Sequence, residues 1–177
     1  MKIRAAGPYD AEPIARLHAD NWRRDYAGIL PDRYLAEAVD TDRQTIWRER
    51  LRDPYSAYQT ILIEAFDGSL AGFGCYQHNY EDSEATFLDN LHTSMEARGK
   101  GFGSALLKEV GTRTLAARSD ASLFLWVFEK NAAARKFYAR HGGREVEYAD
   151  TQWDLAPGEW RYRVSWDADA LQRLVKG

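Results

Sequence analysis

Cysteine is almost absent from this chain: Cys75 is the single one among 177 residues. No internal disulfide and no thiolate metal cluster can therefore form. Cys75 lies in the apolar run Gly72-Phe73-Gly74-Cys75-Tyr76, where a buried small side chain is expected rather than a nucleophile. Long hydrophobic runs are also missing, and the start, Met1-Lys2-Ile3-Arg4, lacks the apolar core of a secretory signal. No membrane partner and a reducing, cytoplasmic setting are expected. The four histidines (His18, His78, His92, His141) show no spacing such as His-x-x-x-His, so no metal is expected. Neither sign of charge dominates. Lys and Arg number 24 against 27 Asp and Glu, a net charge of -3, which gives no general reason to expect nucleic acid as a partner. Repeats and low-complexity linkers are absent, so one domain over residues 1–177 is expected.

What is present is an ordinary globular composition, 45% hydrophobic and 29% charged, in a chain long enough for a substantial core. Lys2 to Ala5 reads as a first strand. Asp10 offers a cap for a helix carrying Ile14, Leu17 and Trp22 on one face. Asn21 to Leu30 reads as a loop or short helix, broken by Gly28 and Pro31. Thr41-Asp42-Arg43-Gln44 has capping-box spacing for a helix that Asp53-Pro54 would stop. Thr60 to Ile63 and Leu70 to Tyr76 flank Asp67-Gly68 as a hairpin. Ala85 to Thr93 is a further strand, Ser104 to Ala117 a helix and Leu123 to Phe128 an apolar strand. Asn131 to His141 reads as a helix stopped by Gly142. Arg144 to Ala149 and Trp160 to Trp166 alternate as two closing strands. An α/β core with partly parallel pairing follows from that order.

The most informative segment is Leu91-His92-Thr93-Ser94-Met95-Glu96-Ala97-Arg98-Gly99-Lys100-Gly101-Phe102-Gly103-Ser104. A strand enters a loop with glycines at alternate positions, and the loop opens a helix. Glycine permits close backbone approach, and the free amides of a new helix face an anion. Arg98 and Lys100 add charge suited to phosphate. This describes a phosphate or pyrophosphate cradle; a flexible surface turn with solvated basic residues is the plainer alternative. It matches neither the nucleotide P-loop nor the dinucleotide fingerprint, whose third glycine is replaced here by Ser104.

Arg98-x-x-Gly101-x-Gly103 resembles the Gln/Arg-x-x-Gly-x-Gly/Ala signature of the GNAT acyltransferases. Val127-x-x-x-Asn131-x-x-Ala134-x-x-Phe137-Tyr138, followed by Gly142, resembles the other coenzyme A motif of that family. The resemblance extends along nearly the whole chain. It implies a GNAT fold: a mixed, mostly antiparallel sheet of six to seven strands, with splayed central parallel strands and flanking helices. It also implies an N-acetyltransferase that uses acetyl-CoA as cosubstrate, without metal, and moves the acetyl group to a primary amine of a small molecule or peptide by direct attack in a ternary complex. The pyrophosphate would rest on amides of Arg98, Gly99, Lys100, Gly101, Phe102, Gly103 and Ser104. Leu91, His92 and Thr93 would pair with the pantetheine arm, and Asn131 would hold the arm or only cap its helix. Tyr138 resembles the tyrosine that protonates the departing thiolate, with core packing as its alternative; Phe137 reads as core.

The base is not carried over, because Phe87 stands where some members have a glutamate. Asp89, on the same side of the strand, or Glu84 is the candidate proton acceptor. Trp22 and Tyr26 are candidates for an acceptor pocket whose ring faces suit a cationic amine. Trp160, Tyr162 and Trp166 could mediate a homodimer. A function of a different class is an acyl-CoA-binding sensor or interaction module without catalysis.

Overall fold

The computed structural model describes residues 1–53 and 55–177, with Asp82 described in its backbone alone. The helix stop expected at Asp53-Pro54 thus falls partly outside the described residues, at Pro54. Among the described residues the elements are β1 (Lys2–Ala5), α1 (Ala11–Asp25), α2 (Asp32–Glu37), α3 (Val39–Arg52), β2 (Tyr58–Glu64), β3 (Leu70–Gln77), β4 (Thr86–Thr93), α4 (Phe102–Ala117), β5 (Leu123–Phe128), α5 (Ala132–Arg140), β6 (Arg144–Asp150), β7 (Trp160–Trp166) and α6 (Ala168–Lys176). The sheet has seven strands in the order β1-β2-β3-β4-β5-β7-β6. β4 and β5 are parallel; β1–β2, β5–β7 and β6–β7 are antiparallel. This is the mixed, mostly antiparallel α/β sheet expected from the sequence.

Contacts divide the chain into two bodies, residues 1–75 with 90–106, and residues 76–89 with 107–177. In the first, β2 and β3 meet through the expected turn. Gly68 takes φ +84°, and the Asp67 carboxylate accepts from the Ser69 amide at 3.0 Å and hydroxyl at 2.7 Å. The core gathers Ile14, Ala15, Trp47, Leu62, Phe73 and Cys75, and Cys75 is fully buried, as its apolar run suggested. α1 does not end near Asn21 but runs to Asp25. Its buried stripe continues from Ile14 through His18 to Trp22, while Asp20, Arg23 and Arg24 are the solvated side of the same helix. Asp10 does not cap α1 with its side chain. Its carboxylate accepts from the Gly7 amide at 2.8 Å and from Arg4 at 2.8 Å, closing the turn before the helix. α3 likewise starts earlier than expected, because fully buried Val39 draws the preceding turn into the helix. Thr41 sits inside it, accepting from Thr45 Oγ1 through its carbonyl at 2.9 Å.

In the second body β5 pairs with β7 from Leu123 opposite Trp166 to Phe128 opposite Arg161. β4 pairs with β5 at Thr86 opposite Leu123 and Phe87 opposite Phe124. α5 packs on the Trp166 side of β7, where Tyr138 meets the Trp166 ring edge-on at 5.9 Å and Trp166 Nε1 donates to the His141 carbonyl at 2.8 Å. Trp166 is thereby fully buried and unable to join an interface between copies; Trp160 keeps 42% exposure. The closing helix α6 went unforeseen. Its start has a readable signal in Asp167, whose carboxylate accepts from the Ala170 amide at 2.8 Å, followed by buried Leu171 and Leu174.

Candidate active site

The glycine turn belongs to the first body. Ser94, just past β4, donates its amide to the Ala71 carbonyl of β3 at 2.9 Å. Successive turns then run from Ser94 to Lys100, and Gly101 accepts the first helical bond of α4 from Ala105 at 3.0 Å. Gly101 is therefore the cap, and the amides of Phe102 and Gly103 lie ahead of the helical ladder. Gly99 and Gly101 take φ +72° and +85°. A Cβ at either would meet nothing within 4 Å, so left-handed backbone, and not crowding, requires glycine there. The result is a bend with few side chains at a helix start, which fits a diphosphate.

The Arg98 guanidinium pairs with Asp25 at 2.6 Å, a carboxylate that also receives Arg24 at 3.0 Å. Lys100 remains exposed and lines a cavity of about 380 Å³ with Met1, Phe66, Ala97 and Phe102. Asn21 and Asp25, one helical turn apart on α1, both reach residues more than seventy positions later. Asn21 Nδ2 donates to the Thr93 carbonyl at 3.1 Å and lies 3.4 Å from His92 Nδ1. α1 thus clamps both the end of β4 and the turn that follows. Sequence reasoning missed these two residues, since nothing local marks a helix residue whose partner is so remote.

His92 packs on Phe73 at 5.3 Å and His18 at 4.6 Å. Burial pushes its pKa down to about 4, against the pull of Asp25. His18 is 1% exposed, and burial, then His92, Arg43 and Arg50, hold it well below its ordinary value. Its Nδ1 accepts from Trp47 Nε1 at 3.0 Å, so the neutral ring carries its proton on Nε2. Trp22, a candidate for an open acceptor pocket, is 7% exposed and has the Arg43 guanidinium 4.0 Å over its ring. Tyr26 beside it, ring centroids 5.4 Å apart, is only half-buried.

The second body holds the remaining candidates. Asn131 caps α5, its Oδ1 accepting from the Ala134 amide at 3.1 Å. Tyr138 is 9% exposed, whereas Phe137, expected in the core, is the more exposed of the pair and packs on His141 at 4.4 Å. Asp89 stands on β4 near the Tyr80 hydroxyl, whose pKa is raised by burial and then by Glu81 and Asp89. Glu84 is exposed and paired with Arg118. Among the described residues no group of three or more His, Cys, Asp or Glu could hold a metal ion, and no helix is long and apolar enough to cross a membrane.

A strand running into an amide-lined bend at a helix start has the geometry of an anion site. Residues 16–143 match the model of the acetyltransferase (GNAT) family, and the chain belongs to that family of acetyltransferase enzymes. It is 28% identical over 183 residues to an uncharacterized N-acetyltransferase of Bacillus subtilis, covering 99% of this chain and 98% of that one. Its fold is similar to that of the PaiA N-acetyltransferase of Thermoplasma acidophilum solved with coenzyme A (TM-score 0.75, 20% identity, 94% and 98% of the two chains). It is also similar to that of the spermidine/spermine N-acetyltransferase SpeG of Vibrio cholerae (TM-score 0.71, 16% identity, 97% and 96%).

Proposed function

We infer that this acetyltransferase takes acetyl-CoA as cosubstrate and delivers the acetyl group to a primary amine. The observation that carries the reading is the bend at Gly99 and Gly101, with its left-handed backbone and helix-start amides. The neighbouring structure solved with coenzyme A supports the same ligand. Bound there, acetyl-CoA would supply an activated acyl group as a thioester. The amides of residues 98–104 would hold its diphosphate, and the backbone at Leu91, His92 and Thr93 would meet its arm.

Asp89 would accept the ammonium proton, directly or through water, because an amine must lose it before its lone pair can attack. Tyr138 would return a proton to the departing thiolate. Its burial keeps bulk water from competing with it as the proton donor. Asn131 already spends its side-chain oxygen on the helix cap, leaving its amide nitrogen for a ligand.

The test is calorimetric titration with acetyl-CoA, followed by thiol release against an amine panel. Tyr138→Phe should bind acetyl-CoA as the wild type does and turn over at least about tenfold more slowly, as expected when one proton-transfer partner is lost. Absence of binding heat in the wild type would overturn the assignment, and unchanged turnover would remove Tyr138 from it.

A further inference from the structure

The second body carries a face of its sheet that α5 does not cover. α5 packs on the side shown by Trp166; the alternate positions of β4, β5 and β7 point the other way. There Phe87 and Phe124 lie 5.2 Å apart and Tyr80 joins Phe87 at 4.5 Å. Two ring faces on this side are filled by the protein's own guanidinium groups. Arg161 lies 4.1 Å over Trp126 and Arg163 lies 4.1 Å over Phe124. Each arginine leans diagonally from its register partner, Phe128 or Trp126, to the next ring on the same face.

Little compensates this charge. Among the described residues no carboxylate lies within ion-pair distance of Arg161, and Arg163 has only Glu147 at 3.6 Å. The Nε atoms of both arginines are buried without a hydrogen-bond partner. Each guanidinium, held over a ring, carries the forked N–H donors that suit a carboxylate. Asp89 stands two residues after Phe87 on β4, on the same face. Burial, then Glu81 and Asp89, raise the Tyr80 hydroxyl against the opposing pull of Arg161.

We propose that this face recognises the acyl acceptor, and that the acceptor is a small amine bearing a carboxylate, its anion on Arg161 and Arg163 and its ammonium toward Asp89. The inference rests on the acetyl-transfer reading and names the substrate class for it. A polyamine such as spermidine, cationic throughout, meets two guanidiniums that share one carboxylate partner, Glu147, and is a poor acceptor.

Matched acceptors test this by acetyl-CoA-dependent thiol release. Phenylalanine is compared with phenethylamine, tryptophan with tryptamine, and spermidine is included. Dipeptides with a free carboxylate distinguish a peptide end from a free amino acid. The carboxylate-bearing member of each pair should have at least about tenfold higher kcat/KM. In Arg161→Gln and Arg163→Gln that ratio should fall toward one, with the KM for acetyl-CoA unchanged. Equal or reversed preference in the wild type overturns the proposal, as does a ratio that survives both substitutions.

A binding measurement separates this inference from the activity it rests on, and needs no variant. The wild type is titrated calorimetrically with 3-phenylpropionate and with 3-phenylpropanol. Binding of the acid at least about tenfold tighter supports the anion site even where no amine is turned over. Equal affinities, or no heat from either, remove the site while leaving acetyl-CoA binding to be judged by its own titration.

Discussion

Acid should unfold this protein earlier than its carboxylates alone require, and His92 is the reason. In the unfolded chain its ring titrates near the ordinary 6.5; folded, burial lowers it to about 4. Between these values the unfolded chain binds a proton that the folded one refuses. Stability is therefore full above pH 6.5, falls as the pH drops, and levels off below the folded pKa. From pH 7.5 to pH 5 this one group removes about 2 kcal/mol, a large share of a typical domain stability of about 5–15 kcal/mol. His18, depressed in the same direction and only 4.6 Å away ring to ring, adds to the loss, and coupling between the two prevents simple summation. The assay is urea unfolding at pH 7.5, 6.5, 5.5 and 5.0, with extrapolated stability plotted against pH. His92→Gln keeps a neutral acceptor near Asn21 and cannot titrate, so its curve should be flatter by about 2 kcal/mol over that window. A slope equal to that of the wild type would refute the reasoning.

Two other predictions concern the glycine turn. Gly101→Ala places a Cβ on backbone at φ +85°, where an L-residue costs roughly 1–2 kcal/mol. Acetyl-CoA affinity measured by calorimetry should drop by about tenfold as the bend relaxes, and unchanged affinity would show that this backbone is not part of the cradle. Asp25→Asn cuts the tie to Arg98 and should raise the KM for acetyl-CoA several-fold at unchanged kcat, because a partly exposed pair contributes about 1 kcal/mol or less. In Arg98→Met the further change Asp25→Asn should add little, and full additivity would mean the two act separately.

Much of this fold was legible because short-range chemistry sets it. The β5 boundaries at Leu123 and Phe128 follow from an uninterrupted apolar run, and the β2–β3 hairpin from Asp67-Gly68. Errors came where a distant partner overrode a local signal. Asn21 to Asp25 looks like loop because its polar residues are many, yet a buried stripe ending at Trp22 keeps it helical. Asp10 looks like a helix cap, yet Arg4 and Gly7 claim its carboxylate. In the candidate site the glycine turn could be read from its residue types alone. Arg98 reads in the sequence as charge for a phosphate, and only the fold reveals Asp25 paired with it. Arg161 and Arg163 drew no notice in the sequence, because alternating residues of a closing strand do not disclose the rings they lie over.

Asn21 and Asp25 fix α1 to the end of β4 and the glycine turn through one face of one helix. A single inserted residue upstream of them would rotate both side chains by about 100° and release both grips together. Downstream of Asp25 other partners take over: Leu30 and Leu35 are buried, and Arg23 donates to the Leu35 carbonyl at 3.1 Å. The length of one helix is thereby tied to the placing of a bend more than seventy positions later, and a change in either is felt by the other.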